Sequence, residues 1–355
     1  MIRSWSEKKI IICCGTGGVG KTTTASALAL HAALSGKRVA LITVDPAKRL
    51  ASSLGLKDLN YDAQCLDEWL ERSLNLKLKG SFSALMLDSE NTFYRFLRTI
   101  GGDEVENKFR ASNLFEIIMG NFGGTHDYLA MEKLFELESS KKYDLIVLDT
   151  PPARHTLDFL DAPDLIAKFF DDRIFSWFLT DPRSTSLREK LRAQGTKAAL
   201  RILELLTGES VIHDFIELAP HIYKVKNAFV ERQSSIKKLL QSSHSGAIFI
   251  TSPTDLSRGE ALPFLQDAAN KGIHILSFVV NRSLAHLATK DTLPTKLDPE
   301  IVRIYQNIRL LVKEEEKNLT LLKELAGNKT SVWIVPEMES DVHDLKALQK
   351  LSAYF

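Results

Sequence analysis

Cysteine is scarce in this chain of 355 residues: Cys13, Cys14 and Cys65 are all it has, and no C-x-x-C spacing occurs. That excludes a disulfide framework and a four-cysteine zinc site built from one chain, so no zinc is expected. The histidines are scattered, without an H-x-x-x-H or comparable pair to suggest a metal. Long apolar runs are missing as well, and none reaches the roughly 18 residues of a membrane span. Residues 1–9 are polar and lead straight into a strand-like run, unlike a secretory leader, so a cytoplasmic location is expected. Excess charge of one sign is absent too. Lys and Arg number 46 against 45 Asp and Glu, a formal net charge of +1. Nothing overall pulls the chain toward nucleic acid or an anionic membrane, and no nucleic-acid partner is expected. There is no internal repeat, so the chain is not two copies of one module.

What is present reads as α/β. Apolar runs at 10–14, 39–44, 84–87, 145–148, 247–251, 275–280 and 332–335 have the continuous character of strands buried on both faces. Between the first two, residues 22–35 form an Ala/Leu-rich helix stopped by Gly36, which completes a βαβ unit. Residues 91–140 and 158–243 break the alternation with helical periodicity and few strand signals. They are read as helical insertions forming a subdomain on a core made of 1–90, 141–157 and 244–355. The stretch 187–206 has amphipathic spacing, and 301–325 is a second charged amphipathic helix before the last strand.

The chemistry concentrates in three places. Gly15, Thr16, Gly17, Gly18, Val19, Gly20, Lys21 and Thr22 satisfy G-x-x-x-x-G-K-[ST] directly after a strand and before a helix. Glycines let backbone N–H groups converge on phosphate oxygens, and the helix start adds its positive end. Lys21 is expected to reach the β- and γ-phosphates, and the Thr22 hydroxyl to ligate Mg²⁺. The second place is Asp45, beyond the second strand, placed to orient a water on the γ-phosphate or to hold metal-bound water; capping the next helix is compatible with either. The third is Asp149, which ends the apolar run 145–148 as a Walker B carboxylate next to the metal. Pro151 and Pro152 follow after Thr150 as a stiff loop able to move as a unit.

Gly17 to Thr23, Asp45-Pro46-Ala47, and Asp149-Thr150-Pro151-Pro152 through Leu157 together resemble the ArsA family. That family contains arsenite-pump ATPases and the ATPases that target tail-anchored membrane proteins. The resemblance implies a P-loop NTPase with a mostly parallel, helix-flanked sheet and an inserted α-helical subdomain. It further implies ATP and Mg²⁺ at or near a dimer interface, water activation by Asp45, and magnesium held by Thr22 and Asp149. It adds Thr23 to the nucleotide loop, assigns Asn281 to the base and places Pro336 as a wall of the adenine.

The departures from the family are specific. A second lysine typically comes right after the first P-loop glycine and reaches the dimer partner's phosphates; Thr16 stands there, and Arg154 is the candidate replacement. No cysteine lies in the helical insertions where arsenite would bind, and Cys13 and Cys14 read as small strand hydrophobes. The cluster Phe169, Phe170, Ile174, Phe175, Trp177, Phe178 and Leu179 fits either the core of the insertion or a groove for an apolar client. His155 reads as structural, and Asp255 as a helix N-cap. The expectation is an ATPase acting as a nucleotide-dependent switch on a protein client, as a homodimer or with a related ATPase chain. A subunit energising an anion transporter through a membrane protein, and an ATP-binding regulator of negligible turnover, are the alternatives.

Overall fold

The computed structural model describes residues 5, 7–15, 17–44, 49–59, 62–112, 115–116, 125–150, 209–256, 259, 261–287, 298–328, 330–338, 341–342 and 344–355. Asp45, Thr16, Arg154, His155, the 169–179 cluster and the 187–206 helix lie outside them.

Eight strands form one sheet: β1 (Ile10–Gly15), β2 (Arg38–Thr43), β3 (Gln64–Cys65), β4 (Ser81–Met86), β5 (Leu145–Asp149), β6 (Ser245–Thr251), β7 (Ile275–Ser283) and β8 (Ser331–Pro336). The order is β3-β4-β2-β5-β1-β6-β7-β8. Every pairing is parallel except β3 with β4. All seven apolar runs of the sequence are strands. The eighth, β3, is a two-residue antiparallel edge, too short and too polar to carry an apolar run.

The strand order reverses around β1. From β1 the chain crosses past the place of β5 to β2, whereas β6, β7 and β8 build outward on the other side. In an open α/β sheet, the loop after such a strand is where ligands gather. β1 is buried along its whole length, because both of its neighbours are parallel strands and helices cover its faces.

The helix α1 (Lys21–Leu34) comes after β1 and buries ten of its fourteen residues, so its sequence is Ala-rich on every side rather than amphipathic. Part of its outer cover is the last helix of the chain, which joins it through the Ser352 carbonyl, 2.9 Å from His31 Nδ1. Between these ends come α2 (Arg49–Ser53), α3 (Asp67–Leu74), α4 (Ser89–Arg110), α5 (Thr125–Ser139), α6 (Glu209–Gln241), α7 (Pro253–Leu256), α8 (Ala261–Lys271) and α9 (Pro299–Ala326). The last helix, α10 (Leu345–Ser352), starts where the Asp344 carboxylate accepts from Ala347 N at 2.8 Å. It buries Leu345, Leu348 and Leu351. Asp255 lies within α7 rather than ahead of a helix, so the N-cap reading of that residue is corrected.

The chain divides into two compact units. One holds residues 1–87, 136–158 and 239–355, and the other 88–135 and 159–238. The first contains the sheet. In the second, α4 bends at Gly102 (φ 82), and Phe96, Tyr128 and Phe229 pack with ring centroids 5.3–5.8 Å apart. Among the described residues no helix is long and apolar enough to cross a membrane.

Candidate functional site

The loop between β1 and α1 owes its shape to three glycines. Gly15 adopts φ 146, and a Cβ there would sit 2.0 Å from the Ile250 carbonyl oxygen of β6. Gly20, the residue that caps α1, has φ 88 and ψ 31, and a Cβ would meet Asn281 Nδ2 at 2.4 Å. Gly18 has φ 82 with open space around it. Gly15 excludes a side chain by both conformation and room, Gly20 by conformation and at the cost of displacing the Asn281 amide, and Gly18 by conformation alone. Gly17 and Gly18 are exposed, whereas Val19 folds inward. Neither a capping side chain nor an acidic residue occupies the first turn of α1. Its N–H groups and positive end are therefore directed at the loop, the arrangement that receives an anion. Lys21 opens the helix at 7% exposure, with Thr22 and Thr23 next on the same turn.

Beneath the loop, β1, β2 and β5 end level with one another: Asp149 pairs in register with Cys13 on one side and Thr43 on the other. Asp149 is 1% exposed. Its Oδ2 accepts from Thr22 Oγ1 at 2.8 Å and from Thr43 Oγ1 at 3.0 Å. Thr150 Oγ1 donates to the Cys13 carbonyl at 2.8 Å, which fixes the exit of β5 against β1. The meeting of a hydroxyl and a carboxylate oxygen suits a small hard cation such as Mg²⁺, which takes oxygen ligands. The neighbouring thiols do not suit a soft one. Burial pushes Cys13 well above the usual thiol range, with the Asp149 carboxylate adding to it. Burial raises Cys14 as well. Both stay protonated, and only the thiolate is a strong soft-metal ligand. Among the described residues, no cluster of three His, Cys, Asp or Glu could hold a metal by itself.

On the other side of the loop, Asn281 of β7 is 8% exposed, and its Nδ2 donates to the Val19 carbonyl at 2.9 Å. β7 then bulges: its pairing with β8 shifts between Val280 and Ser283, and Arg282 takes φ 60. Glu315 of α9, 3% exposed, fastens the two residues beyond the bulge. Its Oε1 accepts from Ser283 Oγ, and its Oε2 accepts from Leu284 N at 2.9 Å. Gly17, Gly18, Arg282, Leu311, Glu314 and Asn318 line a pocket of about 400 Å³ that reaches from the loop to α9.

Of the residues singled out in the sequence, the structure gathers Gly15, Gly17, Gly18, Val19, Gly20, Lys21, Thr22, Thr23, Asp149 and Asn281 around one loop. Pro336 ends β8, three strand positions from β1, in register with Ser283. Sequence reasoning passed over Thr43, Thr150, Arg282 and Glu315. Thr43 stands inside the run 39–44, and no local signal marks its bond to Asp149. For Arg282 and Glu315 there was none either, because their roles come from a bulge and a helix 31 residues further on.

A profile of the ArsA ATPase family, described as anion-transporting ATPase, matches residues 8–352. The chain is 25% identical over 361 residues to the ATPase ASNA1 homolog of Plasmodium berghei (strain Anka), covering 95% of this chain and 84% of that protein. To the homolog of the same name in Plasmodium falciparum (isolate 3D7) it is 24% identical over 359 residues, with 95% and 84% covered. The match spans the glycine loop, the Asp149 strand and the Asn281 strand alike, and the chain is a P-loop ATPase belonging to the ArsA family.

Proposed function

We propose that this chain binds ATP with Mg²⁺ at the loop of Gly15–Thr22 and uses hydrolysis to switch between two conformations that a protein client reads. The observation that carries the reading is the 2.8 Å bond from Thr22 Oγ1 to Asp149 Oδ2 at the mouth of the glycine loop. The loop amides, Lys21 and Thr23 hold the phosphates, while Thr22, Asp149 and Asp45 hold the metal or its water shell. Mg²⁺ held there would supply charge neutralisation on the phosphates. Asp45 orients the attacking water, and Asn281 and Pro336 flank the base. The protein acts as a dimer, of two copies or with a related ATPase chain. Loss of the γ-phosphate releases the loops after β2 and β5, which biases the switch.

The test is steady-state ATPase and ATP binding on wild type and Asp45→Asn. Wild type is expected to turn over, and the variant to bind ATP with turnover reduced by about 100-fold or more. If the variant hydrolyses ATP like wild type, Asp45 does not position the water. Light scattering with and without ATP reads the dimer directly, and a monomer in both states removes that part of the reading.

A second reading has one observation in its favour: the family is described as anion-transporting. In it the chain energises a membrane transporter and an oxyanion stimulates turnover. The thiols speak against arsenite as that anion, because Cys13 and Cys14 are buried in β1 while Cys65 lies at the far edge of the sheet. ATPase rates with and without arsenite or antimonite separate the two readings.

A further inference from the structure

We propose that Arg282 is a phosphate-binding residue: its guanidinium reaches across the pocket between the glycine loop and α9 to hold the polyphosphate of the nucleotide. This rests on the loop being the nucleotide site. The Arg282 backbone at φ 60 adopts a conformation that L-residues avoid, and such outliers persist where their surroundings over-determine them. Here they do so from both sides. The preceding residue, Asn281, is tied to the loop through the Val19 carbonyl. The next two, Ser283 and Leu284, are tied to the buried Glu315 carboxylate. The register shift falls on Arg282 between these two fastenings.

The held side chain has a fitting place to go. Arg282 is exposed, makes no ion pair among the described residues, and shares its pocket with Gly17 and Gly18. Of the two acids in that lining, Glu315 commits one oxygen to Ser283 and the other to Leu284. Glu314 is the other acid. A guanidinium matches phosphate geometry with parallel donors, which a loop of backbone amides complements rather than duplicates.

The experiment uses the full chain and a fluorescent ATP analogue, displaced by ATP and, separately, by inorganic tripolyphosphate. Arg282→Gly removes the guanidinium while suiting the φ 60 backbone, so its melting temperature should equal or exceed that of wild type. Both competitors should weaken by about tenfold or more in Arg282→Gly. Arg282→Lys should bring both back to within about threefold of wild type, since it restores the charge without the fork. Unchanged competition in Arg282→Gly overturns the proposal. So does a loss confined to ATP, which would put the guanidinium on the base instead. Lys21→Ala serves as the reference for a lost phosphate contact. If wild type fails to bind the analogue at all, the nucleotide reading of the loop falls, and this inference with it.

Discussion

At Gly20 a single atom separates two outcomes. An alanine there must hold φ 88 and place its methyl group 2.4 Å from Asn281 Nδ2, whereas at Gly18, with φ 82, nothing lies within 4 Å. Gly18→Ala should therefore cost only the left-handed backbone, about 1–2 kcal/mol, and keep measurable ATP binding. Gly20→Ala should cost about 1 kcal/mol more through the displaced Asn281–Val19 bond and lose ATP binding. Denaturant melts paired with nucleotide titration check both; equal behaviour of the two variants contradicts the geometry. The cysteines give a second residue-level prediction. Cys65 is exposed, so one thiol should react with a thiol reagent in the native protein, with Cys13 and Cys14 reacting only in denaturant. The glycine loop and Asp149 were legible in the sequence because each motif is written in a few consecutive residues. Thr43 meets Asp149 across 106 positions and Ser283 meets Glu315 across 32, and no local pattern records such a meeting.

At the scale of elements, the parallel strands were legible because burial on both faces, complete along β1, β5 and β6, demands runs of apolar sequence. β3 was not, since an edge of two residues answers to one neighbour and needs no apolar run. The start of the sheet holds one electrostatic fastening that pH can undo. Arg38 on β2 donates from N, Nε and Nη2 to the carboxylate of Asp144, the residue before β5. The side-chain and backbone hydrogen bonds from Arg38 lower the Asp144 pKa to about 2. The folded value lies below the unfolded one, so the contribution is fully present above about pH 4 and is lost as pH falls toward 2. The melting-temperature gap between wild type and Asp144→Asn should therefore narrow over that interval and stay constant above pH 5. A gap that persists at pH 2 would mean the pair contributes through packing.

For the molecule as a whole, the glycine loop is where strands from distant parts of the chain are joined. Residues of β1, α1, β2, β5 and β7 meet there within single hydrogen bonds. Ligand bound to that junction should stabilise the sheet-bearing unit by about 2.7 kcal/mol when ATP is at a hundredfold its dissociation constant. ATP should raise the melting temperature of wild type and leave that of Lys21→Ala unmoved, as a thermal-shift series would record. The position of β1 in the strand order also sets a timetable for synthesis. β1 is made before every other described strand of the sheet, yet both of its partners, β5 and β6, come after residue 144 and residue 244. At a ribosomal rate of about 5–20 residues per second, the strand bearing the phosphate loop waits roughly 7–30 seconds for its first neighbour. Until then the loop has no Asp149 beneath it and no Asn281 beside it. A nascent chain released early would carry the whole glycine motif and lack the two contacts that hold its loop in shape.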